Sequence, residues 1–150
     1  MSTVKERLRA DLTAAMKSRD ELRSATLRMV LTAITTEEVA GKSARVLSDA
    51  EVLTVLGREA KKRREAAEAF AAGQRPDQAD RERAEEAVIQ GYLPAQLTDA
   101  ELAPIIAAAI AETGASGPRG IGQVMKVVTP RVTGRADGGR VAAEVRRQLA

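Results

Sequence analysis

The residues best equipped for chemistry lie near the end of the sequence. Lys126, Arg131, Arg135 and Arg140 recur every four to five residues through a glycine-punctuated stretch. Their chemistry is oxyanion pairing: arginine offers two parallel N–H donors to a phosphate, and lysine a point charge. Between Gly114 and Ala150 there are seven basic residues and two acidic ones, whereas the remainder carries 17 basic and 19 acidic. The whole excess of positive charge therefore sits in the last quarter of the chain. A nucleic-acid backbone is the first partner to consider. The plainer account is a pair of short helices with solvated basic faces.

Other sets of residues suit chemistry less well. Lys61-Lys62-Arg63-Arg64 reads as a basic run, but consecutive helical residues point about 100° apart and cannot form one patch. Glu59, Glu65 and Glu68 stand at three- and four-residue spacings from several of these cations, the pattern of a salt-bridged solvent face. Glu37/Glu38 and Glu85/Glu86 are paired carboxylates. On exposed helix faces such pairs lack the pocket that would separate their pKa values for acid–base work. Gly120-Ile121-Gly122 has neither a third glycine nor a preceding strand, so it is no dinucleotide loop. It is expected to allow close helix approach and a tight turn, with free N–H groups at a helix start. Phe70 and Tyr92 are the only aromatics, too few for stacking on single-stranded bases.

These groups must be positioned by helices. Val4, Leu8, Leu12 and Met16 recur every fourth residue and predict a first helix over 2–18. Leu27, Val30, Leu31 and Ile34 mark a second, over 20–40, ended at Gly41. Ser48-Asp-Ala-Glu51 is a capping box opening a third, over 49–72, with Val52, Leu53, Leu56, Ala60 and Ala67 inward. Gly73 is the expected C-cap, ahead of Pro76. A charged fourth helix over 78–91 leads to Gly91-Tyr-Leu-Pro94. Thr98-Asp-Ala-Glu101 is a second capping box, opening a helix to about Glu112 with Leu102, Ile105, Ile106 and Ile110 buried. A short helix from Pro118 is expected to end at Thr129-Pro130, and Asp137 to cap the last, over 138–149. No segment alternates like a strand. The fold class is all-α, with an N-terminal helical domain over 1–93 and a small three-helix tail domain over 94–150.

Composition narrows the function. Of 150 residues 44% are hydrophobic and 1% aromatic, the net charge is +3, and there is no cysteine or histidine. Thiol nucleophiles, imidazole bases and Cys/His zinc sites are thereby excluded. No metal or cofactor is expected. The first residues lack an apolar signal-peptide region, and no apolar run approaches the ~18 residues of a membrane span. The expectation is a cytoplasmic protein without a membrane partner.

Several segments, in order, carry a family likeness: Arg23-Ser-Ala-Thr-Leu-Arg-Met-Val-Leu-Thr-Ala-Ile34, Leu47-Ser-Asp-Ala-Glu-Val52, Glu59-Ala-Lys-Lys-Arg-Arg-Glu65, Ala72-Gly-Gln-Arg75, Tyr92-Leu-Pro-Ala-Gln-Leu97, Gly122-Gln-Val-Met125 and Gly134-Arg-Ala-Asp-Gly138. Together they resemble the GatB/YqeY family, over nearly the whole chain. The resemblance implies a C-terminal region similar to the tail domain of the B subunit of aspartyl/glutamyl-tRNA amidotransferase, which helps hold tRNA. The cradle domain that performs that enzyme's chemistry has no counterpart here. The family's label of carbon–nitrogen ligase with glutamine as amido donor thus reads as inherited, and no intrinsic activity is expected.

The expected function is a non-catalytic tRNA-binding accessory module, with Lys126, Arg131, Arg135 and Arg140 around the turn between the last two helices. One alternative is a component of a glutamine-dependent carbon–nitrogen ligase complex. Another is a protein-interaction adaptor in translation without RNA, marked by an exposed apolar stripe on the 49–72 helix.

Overall fold

A computed structural model describes residues 2–150 and shows an all-α protein, with no strand among those residues. The helices are α1 (Thr3–Lys17), α2 (Glu21–Glu38), α3 (Asp49–Ala72), α4 (Pro76–Gln90), α5 (Asp99–Thr113), α6 (Ile121–Val132) and α7 (Gly138–Leu149), with a 3₁₀ turn at Pro118–Gly120. The chain divides into two compact units, the first ending at Leu93 and the second spanning Pro94–Ala150. None of these helices is long and apolar enough to cross a membrane.

In the first unit, α1 and α2 run antiparallel, and α3 and α4 form a long hairpin. Leu8, Leu27, Val30, Ile34, Val52 and Leu56 form its core, all fully buried or nearly so. Burial of such side chains, at roughly 25 cal/mol per Å² of apolar surface, is what holds helices this rich in charge together. Both halves of the Ser48–Glu51 capping box are formed. The α3–α4 turn departs from expectation in one detail. Gly73 sits at the C-cap with φ −83°, and the left-handed residue is Gln74, φ 61°. Pro76 then takes the first position of α4, where a missing N–H costs little.

Two polar clusters fix this unit. Glu38 corrects the expectation of exposed glutamates: it is buried, accepting from Lys5 Nζ at 2.7 Å and from the Leu47 amide at 3.3 Å. The Lys5 bond holds the Glu38 carboxyl below the ordinary carboxylate range, against the opposing effect of burial. Glu37, its neighbour, turns outward to Arg58. Midway along α1, the buried Tyr92 hydroxyl donates a short hydrogen bond to Asp11 and accepts from Arg23, while the Arg7 guanidinium lies 4.5 Å over its ring.

The second unit packs α5, α6 and α7 around Leu102, Ile106, Val124, Val128, Val141 and Val145. Ile105 and Ile110 are half-buried at the edge of that core rather than within it. Gly114 closes α5 in the left-handed conformation, φ 65°. Gly120 is required for a different reason, because a Cβ there would lie 2.7 Å from Ala115 Cβ. The sixth helix does not stop at Thr129-Pro130 but continues to Val132. Pro130 forfeits one hydrogen bond, and buried Val132 compensates by packing in the core.

Candidate nucleic-acid interface

The four basic residues singled out by spacing belong to α6, α7 and the turn between them, and only Lys126 presents its cation free to solvent. Its side chain is exposed and engages no acidic or carbonyl partner among the described residues. Arg131 forms a two-point pair with Glu112 of α5, at 3.2 and 2.6 Å. That pair holds the Glu112 carboxyl below its ordinary range and the guanidinium above its own. Arg140 donates through Nη2 to the Leu97 carbonyl at 2.9 Å and the Asp99 carboxylate at 2.8 Å. Arg135 donates through Nε to the Ala95 carbonyl at 3.3 Å.

These contacts clasp the start of the unit onto the α6–α7 turn. The Leu97 amide donates to the Arg135 carbonyl at 2.8 Å, and the Gln96 side-chain amide to the Gly134 carbonyl at 2.7 Å. Gly134 itself is left-handed, φ 75°, which lets the turn present those carbonyls outward. Ala95-Gln-Leu97 and Gly134-Arg135 are therefore hydrogen-bonding partners within one unit. Asp137 caps α7, accepting from the Arg140 amide at 3.0 Å.

The charge of this surface is smaller than sequence counting suggests. Over Pro94–Ala150 there are seven basic residues and five acidic, because Asp99, Glu101 and Glu112 fold into the same unit. Arg147 is paired with Glu144 at 2.6 Å. Three cations engage neither an acid nor a backbone carbonyl among the described residues: Arg119, Lys126 and Arg146, all exposed. Arg119 lies in the 3₁₀ turn that leads into α6, and Lys126 on the second turn of α6. The short turn after α6 sends α7 back toward the 3₁₀ turn, which it touches, so Arg146 on its last turns lies toward the Arg119 end. Spacing drew attention to Arg131 and Arg140. Arg119 and Arg146 had the same charge, and only their lack of a partner, a three-dimensional property, distinguishes them.

Gly122 stands beside Lys126 on the exposed face of α6 with nothing within 4 Å of a Cβ built on it, and Gly138 at the start of α7 is equally open. Neither has a positive φ, so neither packing nor conformation demands glycine at either place. Glycine there leaves the backbone of α6 uncovered by a side chain, and α6, unlike α7, has no side-chain cap.

The Lys61–Arg64 run is neutralised. Lys62 pairs with Glu59, Arg64 with Glu86, and Arg63 lies within 3.8 Å of Glu59, Glu82 and Glu85 together. Glu85 also meets Arg81 at 3.3 Å. Glu37, Glu38, Glu85 and Glu86 are thus all in ion pairs. No group of His, Cys, Asp or Glu among the described residues is arranged to hold a metal ion. As expected, the apolar face of α3 buries Val52, Leu56, Ala60 and Ala67, with Val55 beside them.

The model of the Yqey-like protein family matches residues 5–149. The chain belongs to the Yqey-like family. The match spans both compact units of this Yqey-like protein, so α1–α4 are as much part of the family pattern as the basic tail. A search of curated proteins finds no match.

Proposed function

We propose that this Yqey-like protein is a non-catalytic tRNA-binding module whose C-terminal unit contacts the phosphate backbone through Lys126, with Arg119 and Arg146. The observation that supports it is three exposed cations without intramolecular partners, beside a glycine that neither packing nor backbone requires. Cations free of internal partners pair with phosphates without first breaking a bond. Bare backbone allows a partner's close approach. Arg131, Arg135 and Arg140 serve the same surface indirectly, by holding the α6–α7 turn against Ala95–Leu97.

Backbone recognition by three cations gives affinity of roughly micromolar or weaker that falls steeply with salt. The test compares tRNA binding by wild type, an Arg119/Lys126/Arg146→Ala variant and an Arg131→Ala variant across a salt series. The first variant is expected to flatten the salt dependence by about three charges' worth, and the second to leave it unchanged. Wild type that fails to bind tRNA at low salt overturns the reading, as does a triple variant that binds like wild type.

A further inference from the structure

Pro130 is the tenth of the twelve residues of α6, far beyond the first turn in which a helix tolerates proline. It has no N–H to give, so the carbonyl four residues earlier, that of Lys126, loses its helical donor. Lys126, Thr129 and Pro130, which border that carbonyl, are all exposed, and it therefore opens to the outer face of α6. A carbonyl left in this way accepts from an O–H or N–H of whatever approaches.

Three more groups share that face. The Lys126 ammonium has no acidic or carbonyl partner among the described residues. The Thr129 hydroxyl is equally free, whereas Thr133, one turn on, donates its own to the Thr129 carbonyl at 2.8 Å. Gly122, one turn before Lys126, has nothing within 4 Å of an added Cβ. Positions 122, 126 and 129 are four and three residues apart, the spacing of one helix stripe, and α6 contains no acid. Pro104 frees the Ala100 carbonyl of α5 in the same manner, but Asp99 and Glu101 flank that carbonyl and repel an anion. Of the two freed carbonyls, the one on α6 stands beside an unpaired cation.

A phosphate by itself gains nothing from a bare carbonyl, whose oxygen repels its own. The pattern suits a ligand that carries an anion and a hydroxyl donor side by side. The ribose–phosphate backbone repeats that pair at every nucleotide, and the 2′-hydroxyl is the group by which a protein tells RNA from DNA at a given contact.

We propose that this stripe of α6 selects RNA over DNA: the Lys126 ammonium pairs with a phosphate, and the Lys126 carbonyl freed by Pro130 accepts from a neighbouring ribose 2′-hydroxyl. Thr129 offers a second hydrogen bond to the same sugar edge, and Gly122 lets the nucleic-acid backbone come close. The selection rests on the tRNA-binding reading and adds to it the group by which the sugar is recognised.

The test measures binding of the full chain to one tRNA made with ribose and made with 2′-fluororibose, which keeps the A-form helix and lacks the hydroxyl donor. Wild type is expected to bind the ribose form about fivefold more tightly, the worth of one hydrogen bond. Pro130→Ala returns an N–H to the Lys126 carbonyl, and slowed hydrogen exchange of the new amide shows that the bond has formed. That variant is expected to keep its affinity for the fluoro form and its salt dependence, and to bind the two forms within about twofold of each other. Lys126→Ala is expected to weaken both forms alike and to keep their ratio. Equal binding of the two forms by wild type overturns the selection and leaves tRNA binding standing. A full preference retained by Pro130→Ala with its new amide protected does the same. Absence of binding to either form at low salt removes the tRNA reading and the selection with it.

Discussion

The Arg140 guanidinium on α7 donates to the Leu97 carbonyl 2.9 Å away, tying the first residues of the C-terminal unit to its last helix. The same nitrogen reaches Asp99, but that side chain is 95% exposed, so solvent screens the pair and it adds little. Arg140→Ala is therefore expected to destabilise the C-terminal unit by about 1 kcal/mol, through the Leu97 bond. Asp99→Ala is expected to change it by less than about half of that. Hydrogen exchange at the Leu97 amide, itself bonded to Arg135, reports both. Equal effects of the two substitutions would assign the strength to the ion pair instead.

Tyr92 offers a spectroscopic check of the first unit, because it is the only tyrosine. Burial, then its bond to Asp11 and the charge of that residue, push its phenol up to about 12. The folded value lies above the unfolded one, so the stabilisation is complete below about pH 10 and is lost as pH rises from there toward 12. Phenolate absorbance in an alkaline titration should show a single late transition near the upper limit. Asp11→Asn should move it earlier without restoring the ordinary value, since burial remains. Tyr92→Phe should cost about 1 kcal/mol in denaturant unfolding.

The two glycines around the start of α6 make opposite predictions. Gly120→Ala places a methyl 2.7 Å from Ala115 Cβ and should destabilise the second unit by about 1–3 kcal/mol. Gly122→Ala enters open space on a helix and should stabilise it by up to about 1 kcal/mol. Thermal denaturation separates them. If Gly122 is kept bare for a partner's approach, the stabilised variant should also bind tRNA less tightly.

Three carboxylates, Glu59, Glu82 and Glu85, converge on Arg63. Glu82 Oε2, Glu59 Oε2 and Arg63 Nε are buried without a hydrogen-bond partner among the described residues. Burial, and then the neighbouring Glu85, hold the Glu82 carboxyl above its ordinary range. A carboxyl raised in the folded state stabilises most below its unfolded pKa, and that contribution is lost as pH rises through the folded value. Glu82→Gln should therefore stabilise the first unit at neutral pH, by roughly 1 kcal/mol, and the gain should shrink toward about pH 4. A gain that does not vary with pH would rule out ionisation as its cause.

What was legible in the sequence was local. The Ser48–Glu51 and Thr98–Glu101 capping boxes, the Asp137 cap and the apolar stripe of α2 each lie within a few residues, and the helices form where those signals stand. What was not legible was pairing across distance. Arg131 meets Glu112 nineteen residues away, and Arg140 meets Leu97 forty-three residues away. Counting charges along a chain credits each residue to its neighbours in sequence, whereas folding credits it to its neighbours in space. The burial of Glu38 is hidden from sequence for the same reason, because it depends on Lys5 lying across it, thirty-three residues earlier.

The clasp between Ala95–Leu97 and the Gly134–Arg135 turn sets the natural edge of the tail as a transplantable part. Its helices begin only at Asp99, but a graft cut there would lose the amide and carbonyl groups that hold the α6–α7 turn. A graft of this unit is expected to fold only with the Pro94–Leu97 lead-in included. The edge of this unit is therefore set by a short stretch that contains no helix.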